Sequence, residues 1–468
     1  MAQHEEKRYF DFFRVVASSK LSGVFPSRFW ESLVLQASSS EAMILHGASA
    51  LGAVYKSKSH DLCDGMLQHH VSATTTIRDG QRFALKQYAK VLDMLQTQLP
   101  RTDFRWLRNG LITCVLITAL ELVQGNHKAA TTHLKNGFKL VRRAQSYGFT
   151  LEPDLAEPFT RACMQSIILD GSSRDWIDTV VDPLWESPAI PQEFTSLSEA
   201  RSHLEALLMS AVRLAETFEA HDHGRGGFPT DIAQQQAVLE RASSCWLQAY
   251  EASLHVLLSQ SNHRTIYGVY ILRMFHTMVS IMISTAMDAP FECPFDRYTE
   301  QFAAIIGQTL RMWDMNGFAV GRPFEGHRKA TGPRVTFDPG IISPLYYTAV
   351  KCRDPGLRRQ AIGLLTVAPY REGVWSSIVV ARIARAVVEM EEDGFYDGVS
   401  FATDALAPVD PETCGRFPPL LESSRFHTVR VSISEEAGGR RIFTCSKASS
   451  GGRGYCDETT VEFNFTDE

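Results

Sequence analysis

Residues 107–143, with the sequence LRNGLITCVLITALELVQGNHKAATTHLKNGFKLVRR, decide the fold of this chain. Apolar residues recur at helical spacing in the runs 111–122 and 130–141, which predicts two amphipathic helices. Gly125 suits the left-handed position that ends a helix, and Asn126 suits the cap that opens the next one. The stretch therefore predicts an antiparallel helical hairpin whose apolar side must be covered by further helices.

The same helical spacing recurs along most of the remaining sequence. Apolar stripes predict further helices in the segments 41–55, 81–95, 197–220, 231–259, 265–287 and 302–313. Asp354 can cap a helix that begins at Pro355, and residues 372–375 are expected to open the helix that follows. We expect a mainly α fold, built as a large bundle of stacked antiparallel helical hairpins.

The C-terminal segment has a different pattern. Apolar and polar residues alternate in 429–433, residues 441–445 can pair back after a turn, and alternation returns in 461–465. This predicts a small C-terminal β-hairpin, extended to a ribbon of two or three strands, beside the helical bundle.

Composition and charge exclude several classes of protein. The 468 residues are 44% hydrophobic and 21% charged, which is typical of a globular chain with a large core. The formal net charge of -6 argues against nucleic-acid binding through a broadly basic face, although a local basic patch is compatible with it. The apolar run 266–287 contains Arg273 and His276, so we expect a buried helix there and no membrane contact.

The cysteines argue against a structural zinc site. Nine are scattered along the chain, and the closest pair is Cys445 and Cys456. Neighbouring thiolates that share a zinc ion stand two to four residues apart, so no metal ligand is predicted. Dispersed thiols suit a reducing intracellular compartment, where most act as small buried hydrophobic residues.

Two blocks of residues carry a more specific pattern. In the first block it comprises Glu121, Gln124, Gly125, Asn126, His133 and Gly137; in the second, residues 338–392, it includes Arg353, Arg371, Glu372 and Trp375. Together the blocks resemble the regulatory region, or middle homology region, of fungal zinc-binuclear-cluster transcription factors. The resemblance extends over most of the chain and implies a helical regulatory domain.

The resemblance also sets expectations for organisation. We expect a single large helical regulatory domain over 1–468, with sub-parts 1–220, 221–400 and a loop and β-ribbon tail at 401–468. Members of the family begin with six cysteines that hold two zinc ions and read DNA, whereas this sequence starts at the regulatory region. We therefore expect no direct sequence-specific DNA binding.

In the first block, two polar residues carry specific expectations. Glu121 is expected to pair with an arginine or a helix N-terminus, because an unpaired buried carboxylate is costly. His133 lies beside the apolar stripe; it is either a neutral histidine that is hydrogen-bonded inside the bundle or a general base with a partner elsewhere.

For the second block, the arginines also have two interpretations. Arg353, Arg358, Arg359 and Arg371 either form ion pairs between helices, with Glu372 or the acidic residues 389–393, or bind an acidic ligand or phosphate. Whether the motif residues have a structural role or an effector role is left open.

The sequence contains no convincing catalytic motif. The glycine-rich segment 47–52 misses the spacing of a nucleophile elbow and suits close helix packing instead. His221 and His223 alternate in a loop without a third ligand, and no phosphate-binding or dinucleotide-binding glycine pattern is present. We expect a protein that is not an enzyme and needs no cofactor.

The functional expectation follows from the resemblance. The chain is expected to be a transcription-factor-like regulator that contacts a protein partner, such as a DNA-binding regulator, and responds to a small-molecule effector. A nuclear location is implied by the family, with the cytoplasm as the alternative, and the oligomeric state is left open. The alternatives are an enzyme, or a scaffold without a ligand, built on the same helical body.

Overall fold

Helices make up most of the part of the chain that the computed structural model describes. That part comprises residues 2–64, 70–98, 103–170, 189–222, 230–259, 263–289, 291–315, 335–367, 370–401, 404–409, 415–433, 441–448 and 456–463. The predicted mainly α fold is confirmed.

In the first half of the chain, all the described elements are helices. Its elements are α1 (Ala2–Phe12), a π-helical turn (Phe13–Ala17), α2 (Ser18–Leu21), a second π-helical turn (Phe29–Leu33), α3 (Val34–Ser38), α4 (Ala42–Asp64), α5 (His70–Gln98), α6 (Phe104–Gln124), α7 (His127–Ser146), α8 (Pro153–Asp170) and α9 (Leu197–Asp222). The pairs α4–α5 and α6–α7 pack against each other, and α4 also packs on α6.

The second half adds short strands to its helices. Its elements are α10 (Thr230–Leu257), α11 (His263–Thr285), a 3-10 helix (Cys293–Tyr298), α12 (Thr299–Asp314), β1 (Val335–Thr336), α13 (Ile342–Lys351), α14 (Pro355–Val367), β2 (Arg371–Glu372), β3 (Trp375–Ser376), α15 (Ser377–Glu392), a 3-10 turn (Glu422–Ser424), β4 (Thr428–Ile433), β5 (Arg441–Ala448) and β6 (Cys456–Phe463). Asp354 caps α14 as predicted, since its Oδ1 accepts a hydrogen bond from the Leu357 amide at 2.9 Å.

Two three-stranded sheets accompany the helices. The C-terminal sheet has the order β4-β5-β6 with antiparallel pairing, which confirms the predicted ribbon. In the other sheet β1 pairs parallel to β2, and β2 pairs antiparallel to β3. The expectation that residues 372–375 open a helix is wrong, because they form the β2–β3 turn and α15 begins at Ser377.

The N-terminal segment packs into the core by its aromatic residues. Tyr9, Phe13, Phe25, Phe29 and Trp30 are all buried. Gly52 of α4 faces this segment so closely that a Cβ there would lie 2.2 Å from the carbonyl oxygen of Tyr9. One contiguous cluster of buried residues extends from Tyr9 to Cys445. The division into sub-parts at 220 and 400 stays a prediction.

Within the part of the chain that the structure describes, two helices are long and apolar enough to cross a membrane, by length and composition alone. They are α6 and the Arg264–Thr285 part of α11, and 89% and 56% of their most apolar windows are buried inside the protein. Both pack against other helices of the bundle, so their apolar character is accounted for by core packing.

Candidate functional site

The turn between α6 and α7 brings the residues of the first motif block together. Gly125 adopts a left-handed conformation with φ 91°, as predicted. Asn126 does not cap α7 through its side chain; its Nδ2 instead donates to Glu121 Oε2 at 2.7 Å and to Gln124 Oε1 at 3.2 Å. The Asn126 side chain therefore turns back to the buried carboxylate of Glu121. Leaving that carboxylate without a hydrogen-bond donor would cost more free energy than leaving an exposed helix end uncapped, because water can bind the exposed end.

Glu121 has partners other than those expected. The carboxylate is bound by the amide of Asn126 and the hydroxyl of Tyr88, whereas the sequence predicted an arginine or a helix N-terminus. The Tyr88 hydroxyl also lies 3.1 Å from Nε2 of His133. Burial lowers the pKa of His133, partly offset by the nearby Glu121 charge. His133 is thus a hydrogen-bonded histidine of the bundle.

Gly137, the last motif residue of the first block, lies where α7 meets α8. A Cβ at this position would be 2.6 Å from the ring of Phe159. The glycine thus permits close packing between two helices.

The first and second motif blocks meet at His127 and Arg371. Nη1 of Arg371, on β2, lies 3.1 Å from Nδ1 of the buried His127 and closer still to Nε2. A guanidinium can only donate hydrogen bonds, so the imidazole accepts through a ring nitrogen. Arg371 therefore links the second block to the start of α7.

Glu372 anchors the start of α13. Its Oε2 accepts hydrogen bonds from the backbone amides of Gly340 at 2.7 Å and Ile342 at 3.3 Å. Burial raises the pKa of Glu372 to about 8, and the backbone donors counteract this only in part. The partner of this carboxylate is a helix N-terminus, in place of the arginine that the sequence suggested. Trp375, three residues on, is buried in β3.

The remaining arginines of the second block form the predicted ion pairs between helices. Nη1 of Arg353 lies 2.8 and 2.7 Å from the two carboxylate oxygens of Glu391, and Arg358 donates to the same carboxylate. Arg353 also contacts Glu292. We call these four residues, all buried, the α13–α15 ion cluster. The Arg353 and Arg358 guanidinium ions hold the pKa of Glu391 below its usual range despite burial.

A second buried ion cluster escaped sequence analysis. Asp338, just after β1, accepts from Nη1 of Arg161 at 2.7 Å and from Nη1 of Arg201 at 2.8 Å. These arginines sit on α8 and α9, each four residues from a glutamate that it also contacts, Glu157 and Glu205. That i,i+4 spacing within otherwise apolar stripes was the signal available in the sequence. The cluster joins β1 to two helices of the other half.

Two of the hollows that adjoin the described helices differ greatly in volume. One, of about 30 Å³, lies beside Arg201 and Glu205 and has room for water alone. The other is a groove of about 620 Å³ between α12 and residues 406–409, lined mainly by apolar side chains. Gly307 borders it, with no atom within 4 Å of the position that a Cβ would take. Its volume suits a small molecule.

A serine and a histidine of two described helices lie within hydrogen-bond distance, but their contact is structural. Oγ of Ser243 lies 3.1 Å from Nε2 of His276, but the same nitrogen is 3.0 Å from the Ser243 carbonyl oxygen. A carbonyl only accepts, so Nε2 carries the proton that it donates there and does not serve as a base. Burial lowers the pKa of His276 to about 4. His276 thus holds α10 to α11.

No metal site of three or more histidine, cysteine or acidic residues occurs within the described residues. Of the two loop histidines considered from the sequence, His221 lies in α9 and His223 falls outside the described part.

The comparisons with known proteins point to transcription. No protein-family model matches the chain, and no solved structure matches it. The chain is similar to the aspercryptin biosynthesis cluster-specific transcription regulator atnN of Emericella nidulans, with 21% identity over 82% of this chain and 74% of that protein. The chain thus resembles a fungal transcription regulator over most of its length.

Proposed function

We propose that this chain is the helical regulatory domain of a fungal transcription regulator and that it acts through contacts with other proteins. The observation that carries the proposal is the similarity to a cluster-specific transcription regulator over 82% of the chain. Because that similarity spans the helical body and is not limited to one motif, the role of the whole body is inferred from it.

The chemistry of the motif residues supports a non-enzymatic role. Glu121, Glu372 and Arg353 are buried and already hold partners inside the protein. Such groups fix the geometry of turns and helix ends and leave no convergent reactive set facing a cleft. Recognition then falls to the surface and to the groove beside α12.

We also propose that the chain does not read DNA sequence itself. Arg161, Arg201, Arg353, Arg358 and Arg425 are buried and paired with carboxylates. Sequence-specific DNA binding would have to come from a partner or from a separate zinc cluster. In mobility shifts at physiological salt, the purified chain is expected to leave random duplex DNA unbound. Tight binding that persists at high salt would contradict this.

The proposal is tested by a reporter assay. The chain is fused to an unrelated DNA-binding domain and expressed in a fungal host beside a reporter gene that carries the matching site. The fusion should change transcription relative to the DNA-binding domain alone and to a fusion with an unrelated helical protein, at equal protein levels. Equal output from all three would contradict a role in transcription. A fluorescent tag on the chain should report a nuclear location.

A small-molecule effector is proposed for the groove beside α12. A ligand that binds only the folded state raises the melting temperature, so a thermal-shift screen against fungal metabolites is the direct test. Gly307→Trp should fill the groove and abolish the shift, whereas the exposed control Arg385→Gln should keep it. If no compound produces a shift while a partner protein co-purifies, the scaffold without a ligand replaces this proposal.

A further inference from the structure

Helix α7 carries charge of one sign. Its 20 residues include five lysines and arginines and no aspartate or glutamate, in a chain whose formal net charge is -6. Four of these cations are exposed: Lys128, Lys135, Lys139 and Arg142. Near this hairpin, Arg105 pairs with Glu41 and Arg108 with Glu152.

The exposed cations form a single stripe. They stand at positions i, i+7, i+11 and i+14, which places them on one face of a helix. The opposite face is the buried one, with Ala130, Leu134 and Val141. At a rise of about 1.5 Å per residue, the stripe is about 21 Å long. We call it the α7 cationic stripe.

Aromatic side chains continue the stripe at its C-terminal end. Tyr147 directly follows α7 and is 50% exposed, and Phe104 at the start of α6 is 45% exposed. The ring of Phe149 joins them, with its centroid 5.3 Å from that of Phe104 and 6.4 Å from that of Tyr147. Arg143, the neighbour of Arg142 in the sequence, has its guanidinium 6.0 Å from the Tyr147 ring, so the aromatic rings lie at the end of α7 where the stripe ends.

We propose that the α7 cationic stripe and the adjoining aromatic rings bind an acidic segment of a partner protein that carries aromatic or aliphatic residues at one end. Carboxylates of the segment pair with the stripe, and its apolar end packs on Phe104, Tyr147 and Phe149. This rests on the proposed role in protein contacts and specifies the chemistry of the partner. A duplex backbone would use the cations and leave the aromatic rings without a role, so the acidic segment is the better match.

The test measures binding of a defined probe to the full chain. About seven extended residues span the stripe, so the probe is a labelled peptide of about twelve residues, rich in Asp and Glu, with two Phe at one end. Fluorescence anisotropy should detect binding that weakens as salt rises from about 0.05 to 0.5 M. A peptide with Ser in place of every acid, and a labelled random DNA duplex, serve as comparison ligands.

Charge reversal identifies the surface. Lys128 and Arg142 also interact within the protein, so the variant is Lys135→Glu/Lys139→Glu, which is expected to weaken binding at least about tenfold because two attractions become repulsions. The matched control, Arg241→Glu/Arg385→Glu, changes charge equally at exposed positions of α10 and α15 and should bind as the unmodified chain does. Phe104→Ala/Tyr147→Ala should weaken binding while leaving its salt dependence intact.

Each alternative occupant has a distinct outcome. Tighter binding of the DNA duplex than of the acidic peptide would overturn the proposal in favour of nucleic acid. Self-association of the chain that Lys135→Glu/Lys139→Glu abolishes would overturn it in favour of a second copy. Equal weakening by the control variant, or no peptide binding, would also overturn it. These readouts are independent of transcription, so failure here is distinguishable from failure in the reporter assay.

Discussion

Nη1 of Arg371 lies 3.1 Å from Nδ1 of His127, although 244 residues separate them in the sequence. His127 begins α7, two residues after the left-handed Gly125. Arg371 belongs to the β2–β3 hairpin, and the residue that follows it, Glu372, anchors the start of α13. The two motif blocks are therefore parts of one framework. The described contacts of these motif residues hold turns and helix ends in place.

The α13–α15 ion cluster should be sensitive to the loss of a single charge. Glu391→Gln keeps the shape of the side chain but leaves Arg353 and Arg358 buried without their shared anion. Breaking a buried pair in this way costs about 3–5 kcal/mol. Urea denaturation should show this loss in the free energy of unfolding.

The control for that variant is Glu389→Gln, on the same helix but exposed. It should change stability by no more than about 0.5 kcal/mol. Equal effects of the two substitutions would show that the cluster contributes no more than a surface charge.

Two glycines in helices should respond to alanine in opposite directions. Gly52→Ala would place a Cβ 2.2 Å from the Tyr9 carbonyl oxygen, and overpacking of this kind costs about 1–3 kcal/mol. At Gly307 the added methyl group meets no atom within 4 Å, so Gly307→Ala should stabilise α12 by about 1 kcal/mol through helix propensity. Thermal denaturation of the two variants shows whether each substitution raises or lowers the melting temperature. A stabilised Gly52→Ala variant would contradict the close approach of the N-terminal segment.

Glu372 should make stability fall as the pH rises through neutrality. Burial raises its pKa to about 8 in the folded protein, from an ordinary value of 4.5. Between these pH values the folded state holds a proton that the unfolded state has released, so raising the pH favours unfolding, by at most about 1.4 kcal/mol per pH unit. Denaturation midpoints at several pH values between these limits measure the slope.

Glu372→Gln removes this titration, so the variant should have a flatter stability profile than the unmodified chain over the same pH range. Other groups titrate there too: the pKa of His276 is lowered to about 4, which makes stability rise with pH up to the ordinary histidine value. The difference between the two profiles cancels such contributions. Parallel profiles would show that Glu372 is already ionised in the folded protein across this range.

Local patterns were sufficient to predict the helical hairpin, the left-handed Gly125, the Asp354 cap and the C-terminal strands. Each of these depends on residues within a few positions of one another. The partner of Glu372 was not predictable in this way, because its donors at Gly340 and Ile342 lie 32 and 30 residues earlier in the chain. The β1–β2 pairing was not predictable either, because strands of two residues are too short to show an alternating pattern of apolar and polar residues.

The two buried ion clusters differ in how far their charges could be matched from the sequence. Arg353 and Arg358 lie 38 and 33 residues before Glu391, but all three belong to the second block, so their ion pairs were anticipated from opposite charge within that block and not from local spacing. The Asp338 cluster combines residues 137 and 177 positions apart. Only the fold brings Asp338, which follows β1, beside α8 and α9, and buried charges must find such partners wherever the fold provides them.

The contact between Asn126 and Glu121 supplies a final prediction. Asn126→Asp removes the amide that donates to Glu121 Oε2 at 2.7 Å and places a second carboxylate beside a buried one. We expect a loss of about 1–2 kcal/mol at pH 7, moderated because Asn126 itself is exposed. Lowering the pH to about 4 protonates one of the two carboxylates in part and should recover some of the loss. Asn136→Asp makes the same chemical change at an exposed position of α7 and should show neither effect. If both variants lose stability equally at both pH values, the change reflects helix propensity, and Asn126 does not hold Glu121 in the turn.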